Sequence, residues 1–288
     1  MSADLVTAWE ARGTFVDLAG LRVFYVDTGP ADGPTTILLH GFPTSSHDWR
    51  LALPHMGPRR LIMPDYAGFG LSAKPVDHAY SLFEQADLVE MLVAHLGLAE
   101  VDLVAHDIGT SVACELIARR ARGLLGFAVR RLVMMNGSVY LDMAHITLSQ
   151  KLLLSRVGPI FARVASRRVF ERQMRRITAQ PLPPEELGAM WALMCREDGR
   201  QRLPQLIGYI VERGRFRHRW IGAMRGLRDV PVGVLWGDRD PVAVLAIGER
   251  LAAETPSATF ERLEGLGHYP QVEDPARSGA AIRAFLDG

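Results

Sequence analysis

Cysteine is scarce in this chain. Cys114 and Cys195 are the only two in 288 residues. Two thiols make no disulfide framework, and Cys114, inside an apolar helical pattern, reads as a core thiol. Long apolar runs are also missing, which excludes a membrane-spanning helix of ordinary length. The opening "MSADLVTAWEARGTF" lacks an apolar core, so no signal peptide is expected, and a cytoplasmic protein is the default expectation. Net charge is only +1, so the chain as a whole carries no polyanion footprint and no nucleic-acid partner is expected. No His and carboxylate spacing suggests a metal site, and no Gly-rich phosphate loop follows a strand. "GFG" at 68–70 is too short for a dinucleotide fingerprint, so no cofactor is expected. Lysine is nearly absent: Lys74 and Lys151 stand beside 31 arginines. Base composition is the favoured reading of that bias, and arginine's better ion pairing the alternative. Internal repeats and low-complexity tracts are lacking too.

What is present is 48% hydrophobic and 23% charged sequence, enough for one large domain with an insertion. "TFVDLAGLRVFYVDTGP" predicts a hairpin turning at Ala19-Gly20. "TTILLHG", "RLIMPD", "VDLVAHD", "VRRLVMMNG" and "VPVGVLWGD" read as buried strands. "ATFERLEG" adds a last strand and "PARSGAAIRAFLD" a closing helix. Between them "SLFEQADLVEMLVAHLG" carries a helical apolar face, with Ser81 and Glu84 placed as a capping box and Gly97 as the stop. Such alternation predicts an α/β fold with a mostly parallel sheet and helices on both faces.

The alternation breaks between Ser138 and Arg228, where only helical patterns occur. The expected division is a core of 1–137 and 229–288 and an inserted helical unit of 138–228. That insertion holds 17 Lys/Arg against 7 Asp/Glu. It reads either as an arginine face docked on an acidic core, or as a surface for anionic lipid, a partner or an acidic substrate.

Four loops at strand ends carry the chemistry. In "LVAHDIGTSVA", Asp107 sits between a strand and a helix. It could be a helix N-cap. It could also be a nucleophile on a tight elbow, where desolvation and the helix N-terminus favour a reactive anion. Gly109 leaves room for that turn. "HGFP" (40–43) could present a backbone amide to the elbow, which with the Ile108 amide would make an oxyanion hole. "GDRD" ends a strand with Asp240, and "GLGHYP" places His268 after the last one. Each alone has a plain structural explanation, but nucleophile, acid and histidine follow three different strands in order. His106 is expected to pack or hydrogen-bond beneath the elbow, and Asp65 to hold a loop. Trp49 and Trp191 read as pocket lining or as core.

With "HGFPTSSHDW", "PDYAGFGLSAKP", "HDIG", "WGDRDPV" and "GHYPQVEDP", the chain resembles the α/β-hydrolase superfamily in its aspartate-nucleophile branch of epoxide hydrolases and haloalkane dehalogenases. "YSLFEQADLVE", "RFRHRWIGAM" and "HYPQVEDP" also resemble the mesoderm-specific transcript group. The resemblance implies an eight-stranded α/β-hydrolase core with a helical cap. It implies attack by Asp107, water activation by His268 oriented by Asp240, and oxyanion stabilisation by the amides of Phe42 and Ile108. The side chains of Ile108 and Phe42 offer no donor to a halide, where dehalogenases of this branch place one. Epoxide hydrolases use cap tyrosines. Tyr209, 31 residues before Asp240, stands where one is expected, or else packs on its helix. Tyr140 and His145 are the candidates for a second donor. The expected function is epoxide hydrolysis of a small apolar electrophile without cofactor. Haloalkane dehalogenation is the alternative, and a catalytically silent binding module the third. A monomer or homodimer is expected, and a membrane partner is not.

Overall fold

The computed structural model describes residues 2–288. A first helix, α1 (Ser2–Glu10), lies outside the sequence expectations. It is held by tertiary contacts: Trp9 is buried and its indole donates to Ser46 Oγ at 3.2 Å. Strands β1 (Gly13–Leu18) and β2 (Leu21–Thr28) form the expected hairpin. Ala19 and Gly20 both take positive φ, 53° and 78°, the sense of turn that matches strand twist. β3 (Thr35–Leu39) and β4 (Arg60–Pro64) follow.

Helix α2 (Leu82–His95) begins at Ser81, whose hydroxyl accepts from the Phe83 amide. The capping box expected there does not form, because Glu84 turns instead to the His78 ring, 2.8 Å away. Then come β5 (Glu100–His106), α3 (Ile108–Arg120) and β6 (Ala128–Met135). Six helices intervene before the sheet resumes: α4 (Leu148–Leu154), α5 (Gly158–Val164), α6 (Arg167–Ile177), α7 (Pro184–Cys195), α8 (Gly199–Leu206) and α9 (Tyr209–Gly226). β7 (Val232–Gly237), α10 (Leu245–Glu254), β8 (Ala258–Leu263), α11 (Pro270–Glu273) and α12 (Pro275–Asp287) complete the chain.

The sheet runs β1-β2-β4-β3-β5-β6-β7-β8, with β3 to β8 parallel and β2 antiparallel to both neighbours. β3 and β7 are buried along their whole length, which is why they read as unbroken apolar runs rather than alternating ones. The chain leaves β3 toward β4 on one side and returns to β5 on the other. The carboxyl ends of β3 and β5 therefore flank the crevice where open α/β sheets place their chemistry.

The helical insertion docks through charge. Glu186 of α7 pairs with Arg50, and Arg196 with Glu10 at 3.2 Å. Helix α9 lies along α3, where buried Glu115 accepts from Arg219 Nε at 2.7 Å and from Trp220 Nε1 at 2.9 Å. Each charge so buried is paired and hydrogen-bonded, as its desolvation requires.

Candidate active site

Asp107 stands at the junction of β5 and α3 with φ 46° and ψ −109°. For a residue other than glycine that backbone costs about 1–3 kcal/mol and persists only where the surroundings impose it. Gly109 is one of those surroundings, since a Cβ there would meet the carbonyl oxygen of Leu39 at 2.6 Å. Although Asp107 occupies the N-cap position, its side chain caps no helix amide. Oδ2 accepts instead from the backbone amide of Phe42, 2.9 Å away across the crevice. The Ile108 amide, first of α3, finds no acceptor among the described residues. The Phe42 amide is thus engaged by the carboxylate, while the Ile108 amide is free among the described residues.

His268, in the loop after β8, and Asp240, after β7, are both buried. His268 Nδ1 donates to Asp240 Oδ2 at 2.7 Å. Asp240 is fully committed: Oδ1 accepts from the amides of Val242 (2.7 Å) and Ala243 (3.0 Å), and Oδ2 also accepts from Asn136 Nδ2 (2.9 Å). Asn136, at the end of β6, escaped the sequence reading. Its φ is +42° and its Oδ1 accepts from the Gly237 amide, so it ties the ends of β6 and β7 together. The Asn-Gly pair at a strand end was its visible signal.

Burial alone would pull the His268 pKa down. The Asp240 carboxylate, its hydrogen bond and the charge of Asp107 override that and raise it to about 9. Asp107 is affected oppositely. Burial would raise its pKa, but Arg213, then His268, His106 and the Phe42 amide hold it below the usual carboxylate value. His106 donates from Nε2 to the His268 carbonyl oxygen, 2.7 Å away. Burial first, and the neighbouring His268 charge, push its pKa to about 4, so it stays neutral beneath the elbow. Asp65 accepts from the amides of Ser46 and Leu71 and pins a loop.

Arg213 of α9 was not anticipated. It is buried, donates from Nε to Ser111 Oγ at 2.7 Å, and donates from Nη2 to the Asp107 carbonyl at 3.0 Å. An arginine in an arginine-rich insertion carries no sequence signal of its own.

Above Asp107 and His268 opens a cavity of about 750 Å³ including its mouth. Its walls are apolar, with Leu153, Phe161, Phe170, Met174, Trp191 and Leu203 among them. Trp191 therefore lines the pocket, whereas Trp49 belongs to the core on the other face of the sheet. A smaller adjoining cavity shares Gln150 and Val242 with the first and is lined by Tyr209, His145, Arg213 and Ser138. Tyr209 is buried against Phe42, with the Arg213 guanidinium 4.5 Å from its ring centroid. Its hydroxyl accepts from Gln150 Nε2 at 3.3 Å, and its own proton has no acceptor among the described residues. Burial and the Asp107 charge raise its pKa, so the phenol stays protonated.

Of the two candidate second donors, His145 reaches this annex, though the residue is exposed. Tyr140 does not. Its hydroxyl donates to Glu254 Oε2 at 2.6 Å, away from both cavities, and this corrects the expectation placed on it. Among the described residues no three His, Cys, Asp or Glu side chains gather as a metal site.

The family model for the alpha/beta hydrolase fold matches residues 34–275. LipZ of Mycobacterium tuberculosis, named as a hydrolase, is 46% identical over the full length of both chains. The mesoderm-specific transcript protein of Mus musculus is 37% identical, covering 97% of this chain and 87% of its own. Among solved structures, the haloalkane dehalogenase DbeA from Bradyrhizobium elkani superimposes with a TM-score of 0.80 at 26% identity, over 96% of this chain and 97% of that one.

Proposed function

Since the chain belongs to the alpha/beta hydrolase fold family, we propose that it opens an epoxide to a vicinal diol through a covalent ester on Asp107. A carboxylate oxygen of Asp107 attacks a ring carbon, the carbon–oxygen bond breaks, and the leaving oxygen takes the phenolic proton of Tyr209, which water replaces. His268 then takes a proton from water, whose oxygen adds to the ester carbonyl. The amides of Phe42 and Ile108 hold the resulting oxyanion. Collapse breaks the bond from the ester carbon to the alkyl oxygen, and the leaving alkoxide takes the intermediate's hydroxyl proton. His268 returns its proton to solvent, balancing the one Tyr209 drew from water. The Asp107 carboxylate, now carrying one oxygen from water, is restored and the diol released.

The observation that carries this choice is Tyr209, a buried phenol near Asp107 with a proton to give and no acceptor for it among the described residues. A free donor close enough to feel the Asp107 charge is what a developing alkoxide needs. Haloalkane dehalogenation remains the second reading. It is favoured by the likeness to DbeA and by the Arg213 cation near the elbow.

One experiment tests the ester. After a single turnover in heavy-oxygen water, mass spectrometry of the Asp107 peptide should find the label in its carboxylate. An unlabelled peptide from protein that has turned over rejects the mechanism. Epoxide and haloalkane panels then separate the substrates, because only dehalogenation releases halide. Replacing Tyr209→Phe should slow alkylation by an epoxide about 100-fold while leaving ester hydrolysis intact.

A further inference from the structure

The surface of α4 to α6 combines exposed apolar side chains with exposed cations. Leu148, Leu154, Val157, Ile160, Val164 and Val169 all point outward there, with Leu148 and Val164 each 71% exposed. On α5, Val157, Ile160 and Val164 follow the spacing of one helix face. Interleaved with them are the exposed cations Lys151, Arg156, Arg163, Arg168, Arg172 and Arg176. Among the described residues none of these six has an ion-pair partner. Glu171 is the only acid between 143 and 184, and it is occupied by Arg167 and Arg175.

The arginines of α9 are divided: Arg215 and Arg217 are exposed and without an ion-pair partner among the described residues, while the other three are paired. Arg213, Arg219 and Arg225 meet Asp107, Glu115 and Glu254. A basic face docked on an acidic core therefore describes the inner face of α9 and leaves α4 to α6 unexplained.

The reverse side of these same helices is the pocket wall. Leu153, Phe161 and Ala165 face the cavity, and Val169 both lines it and is 41% exposed. The cationic, apolar-studded surface is thus continuous with the cavity's edge.

We propose that the α4–α6 surface seats on a lipid bilayer containing anionic headgroups, and that the pocket takes apolar substrate from that bilayer. Charge complementarity selects this occupant. Unpaired guanidinium groups match phosphate headgroups, and the apolar tips between them match the acyl boundary beneath. A second copy would bring two like-charged faces together, and a nucleic acid would leave the apolar tips without a partner. Among the described residues no helix is long and apolar enough to cross a membrane, so the association is superficial. The charge excess of the insertion left anionic lipid as one alternative, and no membrane partner was expected; the placement of these side chains favours one. The proposal is independent of the chemistry at Asp107.

The test is co-sedimentation of the full chain with vesicles of phosphatidylcholine, alone or mixed with phosphatidylglycerol. Adsorption should require phosphatidylglycerol and weaken in high salt. Changing Arg163→Gln and Arg168→Gln should weaken it about fivefold per cation. The double change Ile160→Ser and Val164→Ser, which alters no charge, should weaken it at least about tenfold. Asp107→Asn protein should adsorb like the unchanged chain, whatever its activity. Because the serine changes lie on an exposed face, thermal midpoints should stay within about 2 °C. No adsorption, adsorption indifferent to Ile160 and Val164, or equal adsorption to neutral vesicles would each overturn the proposal. So would a dimer abolished by the serine changes, which would assign the surface to a second copy.

Discussion

The guanidinium of Arg213 is bound to the same residue twice over: Nη2 lies 3.0 Å from the backbone carbonyl of Asp107 and 3.5 Å from its carboxylate Oδ1. The carbonyl also accepts from the Thr110 amide at 3.1 Å, so α9 holds the elbow from outside while α3 holds it from within. Replacing Arg213→Gln leaves the Asp107 carboxylate buried with one counter-charge fewer. Loss of a buried partner costs about 3–5 kcal/mol, and the remaining support from Phe42 and His268 puts the expected loss at the low end of that range. Denaturant midpoints measure it. The Asp107 pKa should also rise, moving the acid limb of kcat/KM to higher pH. An unmoved acid limb in a folded variant would remove Arg213 from control of that carboxylate.

Asn136 is expected to act on the second half of the reaction alone. It touches Asp240 and the Gly237 backbone rather than the pocket. Asn136→Ala should free Asp240 to rotate, misaligning the His268 ring, and slow ester hydrolysis about 10–100-fold. Alkylation of Asp107 should be unchanged. Intact-protein mass spectrometry would then show the ester accumulating in the variant and not in the parent. Equal slowing of both steps would point to a general loss of sheet order instead.

How much of this was visible in the sequence depends on distance along the chain. β3, β5 and β7 were readable because strands buried on both faces are continuous apolar runs. Asp107, Asp240 and His268 were readable as candidates because each follows its own strand. Arg213 was not, since its contact with the elbow spans 106 residues and nothing local distinguishes it from its neighbours. Tyr140 shows the converse. Its position at the entrance of the insertion suited a donor, but Glu254, 114 residues on, takes its proton. The capping box at Ser81 failed for a local reason, because His78 competes for Glu84. A box forms instead at Thr147 and Gln150, which the reading passed over.

His268 should change its proton affinity during turnover. In the resting protein its pKa is raised to about 9, partly by the charge of Asp107. Esterification removes that charge, so the imidazole binds its proton less tightly and becomes a base nearer neutral pH. The hydrolysis step, followed by rapid quench, should therefore titrate below the value measured for the resting histidine by NMR. The same or a higher value would mean that the ester carbonyl lies too far from His268 for its charge to matter.

The histidines also predict where the fold is most stable. His40, His47 and His106 are buried and held neutral, chiefly by burial, with pKa values lowered to about 3 for His47 and about 4 for His106. Unfolded, each would titrate near 6.5. Below that pH the unfolded chain binds protons that the folded one refuses, so stability is present above pH 6.5 and lost as pH falls. Each histidine contributes about 1.4 kcal/mol per pH unit to that loss. His268 has the opposite sign. Its folded pKa is raised to about 9, so its contribution is complete below 6.5 and declines as pH rises toward 9. Between pH 5 and 8 the two effects place the maximum near 7, where the unfolded histidines are about a quarter protonated, with three histidines on the acid side and one on the alkaline side. Urea midpoints should therefore be about equal at pH 6.5 and 7.5 and clearly lower at 5.5. His106→Gln should flatten the acid limb by about a third, and a maximum at pH 8 or above would contradict the assignment of these protons.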